Sequence, residues 1–241
     1  MAGRAVPTRT IVVLLMKEDI DATEESLLDQ GFLTWEAPEV GHDVTELERK
    51  GFPFWTEEGL DLCKERVLYE PRVRSLLESL FVGRCVLVHW VRYTAKPGRI
   101  ICFRGGGPKA RSPRFMVQLL AKGSRVVHYS GSHLIELPVK ETEYLFYETL
   151  QPDLDQAGLS GKEYESKNGS IAILDARLRF EIKQGFAITF VFATEDVLAK
   201  WPPMLLPGHL ALQQKVRDEM ESSSVGVNFA FASPRAETPS R

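Results

Sequence analysis

The feature that most constrains the fold is a series of short, β-rich segments between residues 85 and 193. The segments consist mainly of β-branched and aromatic residues, and glycine- or proline-rich turns such as Lys96-Pro97-Gly98 and Ser130-Gly131-Ser132 separate them. Such a series is typical of a β-sandwich or jelly roll, whereas a parallel α/β fold alternates strands with long helices. We therefore predict a mainly β fold with strands at residues 85–93, 100–103, 115–120, 126–129, 133–137, 170–174 and 186–193.

Helical patterns flank this series on both sides. Asp21–Gln30 predicts a helix that ends at Gly31 and precedes a strand at residues 32–35. Residues 56–82 carry two apolar stripes at helical spacing, and Pro71 fits the first turn of the second helix. One domain is predicted over residues 1–221, followed by a disordered tail. Within the domain we also expect a weak helix at 45–50, a weak helix or an insertion within 141–161, and C-terminal helices at 194–201 and 209–221. The disordered tail is expected at 222–241.

Composition excludes several classes of partner and location. The 241-residue chain has a formal net charge of −3 and no basic stripe, which argues against a nucleic-acid partner. Its three cysteines, Cys63, Cys85 and Cys102, lie far apart and cannot all pair within the chain, so a reducing compartment is favoured. The apolar run at residues 11–16 is shorter than a signal-peptide core, and no stretch reaches the roughly 20 apolar residues of a membrane span. We therefore expect a cytoplasmic protein.

Four fragments, in this order, resemble elements of the phytanoyl-CoA dioxygenase-like family. The resemblance covers about residues 22–195 and implies a double-stranded β-helix, a cupin-like form of jelly roll, with flanking helices. It also implies Fe(II) held by two histidines and a carboxylate, with open positions for 2-oxoglutarate and O₂. The fragments are the helix at 68–77, the turn Lys96-Pro97-Gly98 (similar to a KPPG-type turn), Gly131-Ser132-His133 (similar to a PGSH element) and the late strand at 169–178.

The residues that this family uses to hold iron are missing at the matching positions. The H-x-D pair expected after Lys96-Pro97-Gly98 is replaced by Phe103-Arg104-Gly105, and Phe180 stands at the second histidine. The basic residue that binds 2-oxoglutarate is expected within residues 187–192, which contain none. Independently of any alignment, no histidine of the chain is followed two residues later by Asp or Glu. We therefore expect no Fe(II) bound in the family's manner, and no cofactor.

Three hypotheses for function remain open. The first is a non-catalytic partner, paired with a homologous oxygenase subunit or with itself in specialised-metabolite biosynthesis, using exposed tryptophans as anchors. The second is a metal-free isomerase, dehydratase or cyclase that uses the barrel pocket for a small hydrophobic or acidic metabolite. The third is an active Fe(II)/2-oxoglutarate-dependent dioxygenase with other ligands. Candidate anchors are Trp55, Trp90 and Trp201, and candidate acid/base groups are Asp175, Glu181, Tyr129 and His128.

Basic residues near the vacated positions are candidates for anion binding. Arg104 and Arg177 are expected beside the barrel mouth, where an arginine can hold a carboxylate bidentately, cap a strand end or face a partner. Lys109, Arg111 and Arg114 can receive an anionic group, although a solvated loop face is favoured.

Three other patterns have structural interpretations. Gly105–Lys109 lacks the spacing of a phosphate loop and predicts a flexible barrel loop. His128, His133 and Glu136 resemble a metal site, but His133 belongs to the element Gly131-Ser132-His133. The three cysteines are expected to be buried structural thiols.

Overall fold

The computed structural model describes residues 24–110, 113–142 and 146–233. Six-stranded sheets pack face to face, and helices cover the outer face of one of them. The apolar run at residues 11–16 and Arg111 lie outside the described residues. The helices are α1 (24–30), α2 (Pro38–Arg49), α3 (Glu57–Cys63, continued by a π-helical turn at Lys64–Leu68), α4 (Pro71–Leu80), α5 (Gln151–Gln156) and α6 (Leu210–Lys215, continued by a π-helical turn at Val216–Met220).

The strands are arranged as in a double-stranded β-helix. They are β1 (Phe32–Glu36), β2 (Cys85–Thr94), β3 (Ile100–Cys102), β4 (Arg114–Leu120), β5 (Ser124–Tyr129), β6 (Lys140–Glu141), β7 (Tyr147–Thr149), β8 (Gly161–Ser166), β9 (Ser170–Asp175), β10 (Arg179–Gln184), β11 (Phe186–Thr194), β12 (Met204–Leu206), β13 (Val225–Val227) and β14 (Phe229–Phe231). The major sheet has the order β1-β9-β4-β11-β2-β13 and the minor sheet the order β6-β7-β3-β10-β5-β8, while β12 and β14 pair with each other. From β2 to β5 and again from β8 to β11, successive strands lie in alternate sheets. The predicted fold class is confirmed.

Alternation along each strand separates a barrel interior from an outer face. Residues at every second position of β4, β9 and β11 point between the sheets, and those between them pack under the helices. On the minor sheet the outer face is covered by the segment around Leu137 and by Leu154 of α5. Gly41 lets α2 approach the turn before β9, because a Cβ there would overlap the carbonyl oxygen of Asn168. Packed elements therefore cover the outer faces of both sheets.

Several predicted elements differ from the structure. Residues 133–137 form no strand, because Gly131 at φ 75° turns the chain into a 3-10 turn at Ser132–Leu134. The strands β8 and β10 were not predicted, and the weak helix predicted at 45–50 is the end of the longer α2. Pro71 does begin α4, as expected.

The disordered tail predicted at 222–241 is wrong for residues 225–231. Val225–Val227 adds to the major sheet in parallel with β2, and Phe229–Phe231 pairs in parallel with β12. Backbone pairing and the burial of Val225 stabilise a segment whose composition suggested disorder. Residues 234–241 lie outside the described residues.

Within the described ranges, no helix combines the length and the apolar character needed to cross a membrane.

Candidate functional site at the barrel mouth

Phe103 and Phe180 face the barrel interior, where the resemblance places two iron ligands. Phe103 directly follows β3 and is 3% exposed, and Phe180 lies in β10 and is fully buried. Phe180 pairs with Ile101 on β3 and with His128 on β5, so it occupies the middle of the minor sheet. Both side chains belong to the interior apolar cluster.

A third phenylalanine joins these two rings. The ring centroid of Phe146 lies 5.9 Å from that of Phe103 and 6.3 Å from that of Phe180, with interplanar angles of 84° and 77°. Edge-to-face contacts of this kind are favourable geometries for aromatic pairs. We call Phe103, Phe146 and Phe180 the aromatic floor. It is an apolar, closely packed surface without a nitrogen or oxygen donor.

The strand that supplies the 2-oxoglutarate-binding residue in the family presents small or apolar groups here. Ala187, Thr189 and Val191 of β11 are fully buried. The Nε2 of Gln118 donates a hydrogen bond of 3.3 Å to the hydroxyl of Thr189. Across the described residues, no three His, Cys, Asp or Glu side chains converge as metal ligands. The residues present therefore do not fit the iron and 2-oxoglutarate that the fold implies.

Directly above the aromatic floor lies an open cleft of about 510 Å³. The indole of Trp201 stacks on Phe103, with ring centroids 5.6 Å apart and an interplanar angle of 29°. One wall is therefore aromatic, and the rest is polar. The lining residues are Phe103, Arg104, Gly105, Arg114, Glu141, Thr142, Phe146, Tyr147 and Trp201. We call this the mouth cleft.

Arg177 is engaged within the protein. Its Nε and Nη2 donate to the two carboxylate oxygens of Asp175 at 2.8 and 2.7 Å, and its Nη1 donates to the carbonyl oxygen of Gly107 at 3.0 Å. Because only 8% of the Asp175 side chain is exposed, this pair is a largely buried ion pair. Of the alternatives for Arg177, the structure favours the one that caps a strand end.

Arg104 and Arg114 line the mouth cleft on the polar side. Burial lowers the pKa of Arg104, and the nearby charges of Arg114 and Arg177 lower it further. Burial also lowers the pKa of Arg114, whose Nε is buried and has no hydrogen-bond partner among the described residues. Both arginines also border a second cavity of about 280 Å³, next to Asp175 and Arg177. The cleft thus has a positively charged side.

The acid/base candidates occupy other places. Tyr129 lies on the outer face of the minor sheet and donates from its hydroxyl to Gln151 at 3.0 Å. The Glu181 carboxylate accepts from the backbone N–H of Gly98 at 2.6 Å and so fastens the β2–β3 turn. Neither residue lines the mouth cleft, and Asp175 is held by Arg177.

His128 is inside the barrel and stacks on Phe32 with ring centroids 4.4 Å apart. It is fully buried, and neither ring nitrogen has a hydrogen-bond partner in the described part of the chain. Burial lowers its pKa to about 3, so the imidazole is neutral. His133 instead contacts the carbonyl oxygen of Leu28 through Nε2 at 2.8 Å, and Glu136 pairs with Lys109. The candidate metal site of His128, His133 and Glu136 is not assembled.

The structure adds a residue that the sequence analysis missed. Arg179 is fully buried on the outer side of β10, and its guanidinium donates to the carbonyl oxygens of Ser132 at 3.0 Å and Arg177 at 2.9 Å. Burial lowers its pKa. Its neighbour Phe180 points the opposite way, so one strand fixes both the loop after β5 and the aromatic floor. Alternation around Phe180 is the signal that would have revealed it.

The candidate interface tryptophans differ in their exposure. Trp90 packs against Phe54, Phe190 and Phe229, whereas Trp55 is 55% exposed.

All three cysteines are buried, and burial raises the pKa of Cys102 to about 11 and that of Cys85 to about 12.

Comparison with solved structures identifies relatives in fold. The epimerase SnoN in complex with Fe3+, alpha ketoglutarate and nogalamycin RO matches with a TM-score of 0.52 at 11% sequence identity, over 73% of this chain and 84% of that chain. AviO1 from Streptomyces viridochromogenes Tue57 matches with a TM-score of 0.48 at 14% identity, over 73% of this chain and 96% of that chain. HygX from Streptomyces hygroscopicus with iron bound matches with a TM-score of 0.48 at 13% identity, over 79% of this chain and 88% of that chain. Comparisons with protein-family models and with curated proteins find no match. The likeness to SnoN shows that the two chains share a fold.

Proposed function

We propose that this chain is a metal-free, non-catalytic relative of the phytanoyl-CoA dioxygenase-like oxygenases, acting as an accessory partner in small-molecule biosynthesis. The observation that carries the proposal is the aromatic floor. Phe103 and Phe180 stand at positions where the family resemblance puts histidines, and Phe146 packs against both rings. A phenylalanine ring has no lone pair with which to bind Fe(II).

The sequence supports the same proposal without any match of individual positions to the family. A histidine followed two residues later by a carboxylate is absent from the whole chain. The interior-facing residues of β11 are uncharged, so the 2-oxoglutarate carboxylate has no cationic partner on that strand. The proposal therefore depends on two separate losses, one of the metal ligands and one of the cosubstrate contact.

The setting of specialised metabolism rests on analogy in fold, which is weaker support than a site. SnoN is described as a non-heme alpha ketoglutarate dependent epimerase from nogalamycin biosynthesis. The proposed partner is an active homologous oxygenase or a second copy of the chain. Trp55, which is 55% exposed before α3, supplies a candidate anchor for such an interface.

Anaerobic titration with Fe(II), followed by calorimetry, tests the loss of metal. The wild-type protein should show no stoichiometric binding, with or without 2-oxoglutarate. The control is the triple variant Phe103→His, Gly105→Asp, Phe180→His, which restores the family's ligand types. Gly105 tolerates a side chain after a small shift of Val139, because a Cβ there would lie 3.1 Å from Val139 Cγ2. A wild-type complex of micromolar affinity would overturn the proposal and favour an active dioxygenase.

Co-expression with an iron oxygenase from the same pathway tests the accessory role. We expect the chain to co-purify with the oxygenase and to raise its stability or turnover. The Trp55→Ala variant should weaken the association while leaving the fold intact, because a half-exposed side chain contributes little to the core. An oxygenase whose stability and turnover are the same with and without the chain would contradict this role.

A further inference from the structure

The mouth cleft combines two kinds of wall that together select a ligand. Phe103 and Trp201 stack on one side, and Arg104 and Arg114 lie on the other. Its volume of about 510 Å³ falls within the range of small-molecule sites, about 300–1,000 Å³. A flat apolar group can lie against the rings, while an acidic group reaches the guanidinium side.

Guanidinium groups gather on one side of the cleft. Arg104, Arg114 and Arg177 gather near one carboxylate, Asp175, and Arg177 binds both oxygens of that carboxylate. The negative group near Arg114 is the carboxylate of Asp196, and Glu141 lies exposed at the cleft edge. Repulsion between partly buried guanidinium groups is relieved when a negatively charged ligand binds between them.

Arg114 has the geometry for a carboxylate. It begins β4 on the side of the strand that carries the interior residues Met116 and Leu120, so its side chain is directed toward the barrel mouth. Its Nε is buried and unpaired within the described ranges. A buried donor without an acceptor is costly, and a carboxylate that accepts two parallel hydrogen bonds from a guanidinium removes that cost.

We propose that the mouth cleft binds a small organic acid that carries a ring, with the carboxylate held by Arg114 beside Arg104 and the ring lying against Trp201 and Phe103. The inference deepens the proposed function, since it gives the metal-free barrel a ligand class. Inorganic phosphate and short aliphatic acids meet only half of these contacts. Neutral ring compounds meet the other half.

Fluorine NMR and calorimetric titration with para-fluorobenzoate test the inference on the full chain in EDTA. The dissociation constant should be on the order of 1 mM for so small a probe. The isosteric neutral probe para-fluorobenzamide should bind about tenfold more weakly, because it lacks the charge that Arg114 requires. Acetate and inorganic phosphate should also bind at least about tenfold more weakly, since neither covers the aromatic wall.

Matched variants locate the site. Arg114→Gln should weaken para-fluorobenzoate binding at least about tenfold, and Arg114→Lys, which keeps the charge but loses the planar fork, should fall between it and wild type. Trp201→Ala should weaken the binding of the ring by about tenfold. Arg125→Gln serves as the control, because Arg125 pairs with Glu163 on the exposed side of the minor sheet. Circular dichroism and thermal midpoints confirm that each variant is folded.

The result that overturns the inference is para-fluorobenzoate binding that is no tighter than that of the amide, acetate or phosphate, or that is unchanged in Arg114→Gln. Repeating the titration with Fe(II) separates the two proposals. Stoichiometric Fe(II) binding with unaltered dependence on Arg114 would refute the metal-free function and leave this inference standing. Absence of Fe(II) binding together with indifference to Arg114 would refute the inference alone.

Discussion

The two ends of one space, the aromatic floor and the mouth cleft, are built from opposite chemistry. At the floor, Phe103, Phe146 and Phe180 are 3%, 3% and 0% exposed and meet edge to face. At the mouth, Arg104 and Arg114 share an open cleft with Tyr147 and Trp201. Phe103 and Phe146 belong to both, and the Phe103 ring stacks on Trp201.

The two regions therefore suit different roles. The floor, where the family resemblance places the iron ligands, is filled by apolar packing, whereas the mouth cleft is open and has a positively charged side. Packing requires complementary shapes and tolerates no vacancy, while a binding cleft keeps groups unpaired for a ligand. Substitutions at the floor should therefore change stability, and those at the mouth should change binding.

The largest expected effect is at the floor. Phe180→Ala should lower the free energy of unfolding by about 3–5 kcal/mol, because it removes a fully buried ring and leaves a cavity. Urea denaturation measures the change. Trp55→Ala is the matched control, since its 55% exposed side chain should cost less than about 1 kcal/mol. Equal losses in the two variants would contradict the description of the floor as packed core.

A second prediction concerns the ion pair of Arg177 and Asp175, which lies next to Arg104 and Arg114. Arg177→Leu should lower the free energy of unfolding by about 2 kcal/mol, because it leaves the buried Asp175 carboxylate without its bidentate partner. Denaturant titration measures it. The exposed pair Lys109–Glu136 provides the comparison, and Lys109→Ala should produce no measurable change. A wild-type midpoint for Arg177→Leu would show that the pair is dispensable.

Acid should weaken the interior through His128. Burial lowers its pKa from 6.5 to about 3, so the unfolded state takes up a proton as the pH falls below about 6.5 while the folded state does not. Stability from this group is therefore complete above pH 6.5 and is lost toward pH 3, by up to about 1.4 kcal/mol per pH unit. Urea midpoints of wild type and His128→Leu, compared between pH 7 and pH 4.5, isolate it. Parallel pH profiles of the two proteins would exclude His128 as the cause.

The smallest expected effect is at the mouth. Arg114→Gln should change the free energy of unfolding by no more than about 0.5 kcal/mol, because the Arg114 Nε makes no hydrogen bond in the described structure. Thermal and urea denaturation measure the change. A loss as large as that of Phe180→Ala would mean that Arg114 supports the fold, and the contrast between floor and mouth would disappear.

The sequence predicts two of the three floor residues but not the loop residues that converge on them. The strand-and-turn pattern and the order of four fragments place Phe103 and Phe180 near one another, because strand position and alternation are local properties. Phe146, Tyr147 and Trp201 come from segments predicted as a weak helix, an insertion or a C-terminal helix. Their convergence on Phe103 depends on tertiary packing of loops, which carries no periodic signal.

Charged residues show the same limit. The sequence favours a solvated loop face for Arg114, yet the residue begins β4 and is partly buried. For Arg177 the sequence allows three roles, and only its distances to Asp175 distinguish them. Side-chain partners separated by long stretches of chain cannot be read from spacing, and a lone arginine in the sequence gives no indication of its acceptor.

The short strand β13 has a consequence for handling the protein. It pairs with β2 at residues 85–87. On either side of it, the backbone N–H of Cys85 donates to the carbonyl oxygen of Ser224, and the backbone N–H of Asn228 donates to the carbonyl oxygen of Leu87. A chain shortened before Ser224 would leave the buried run Cys85–Val88 on an open sheet edge with unpaired backbone groups. Such edges recruit other chains, so truncation there should yield aggregates rather than a smaller soluble barrel.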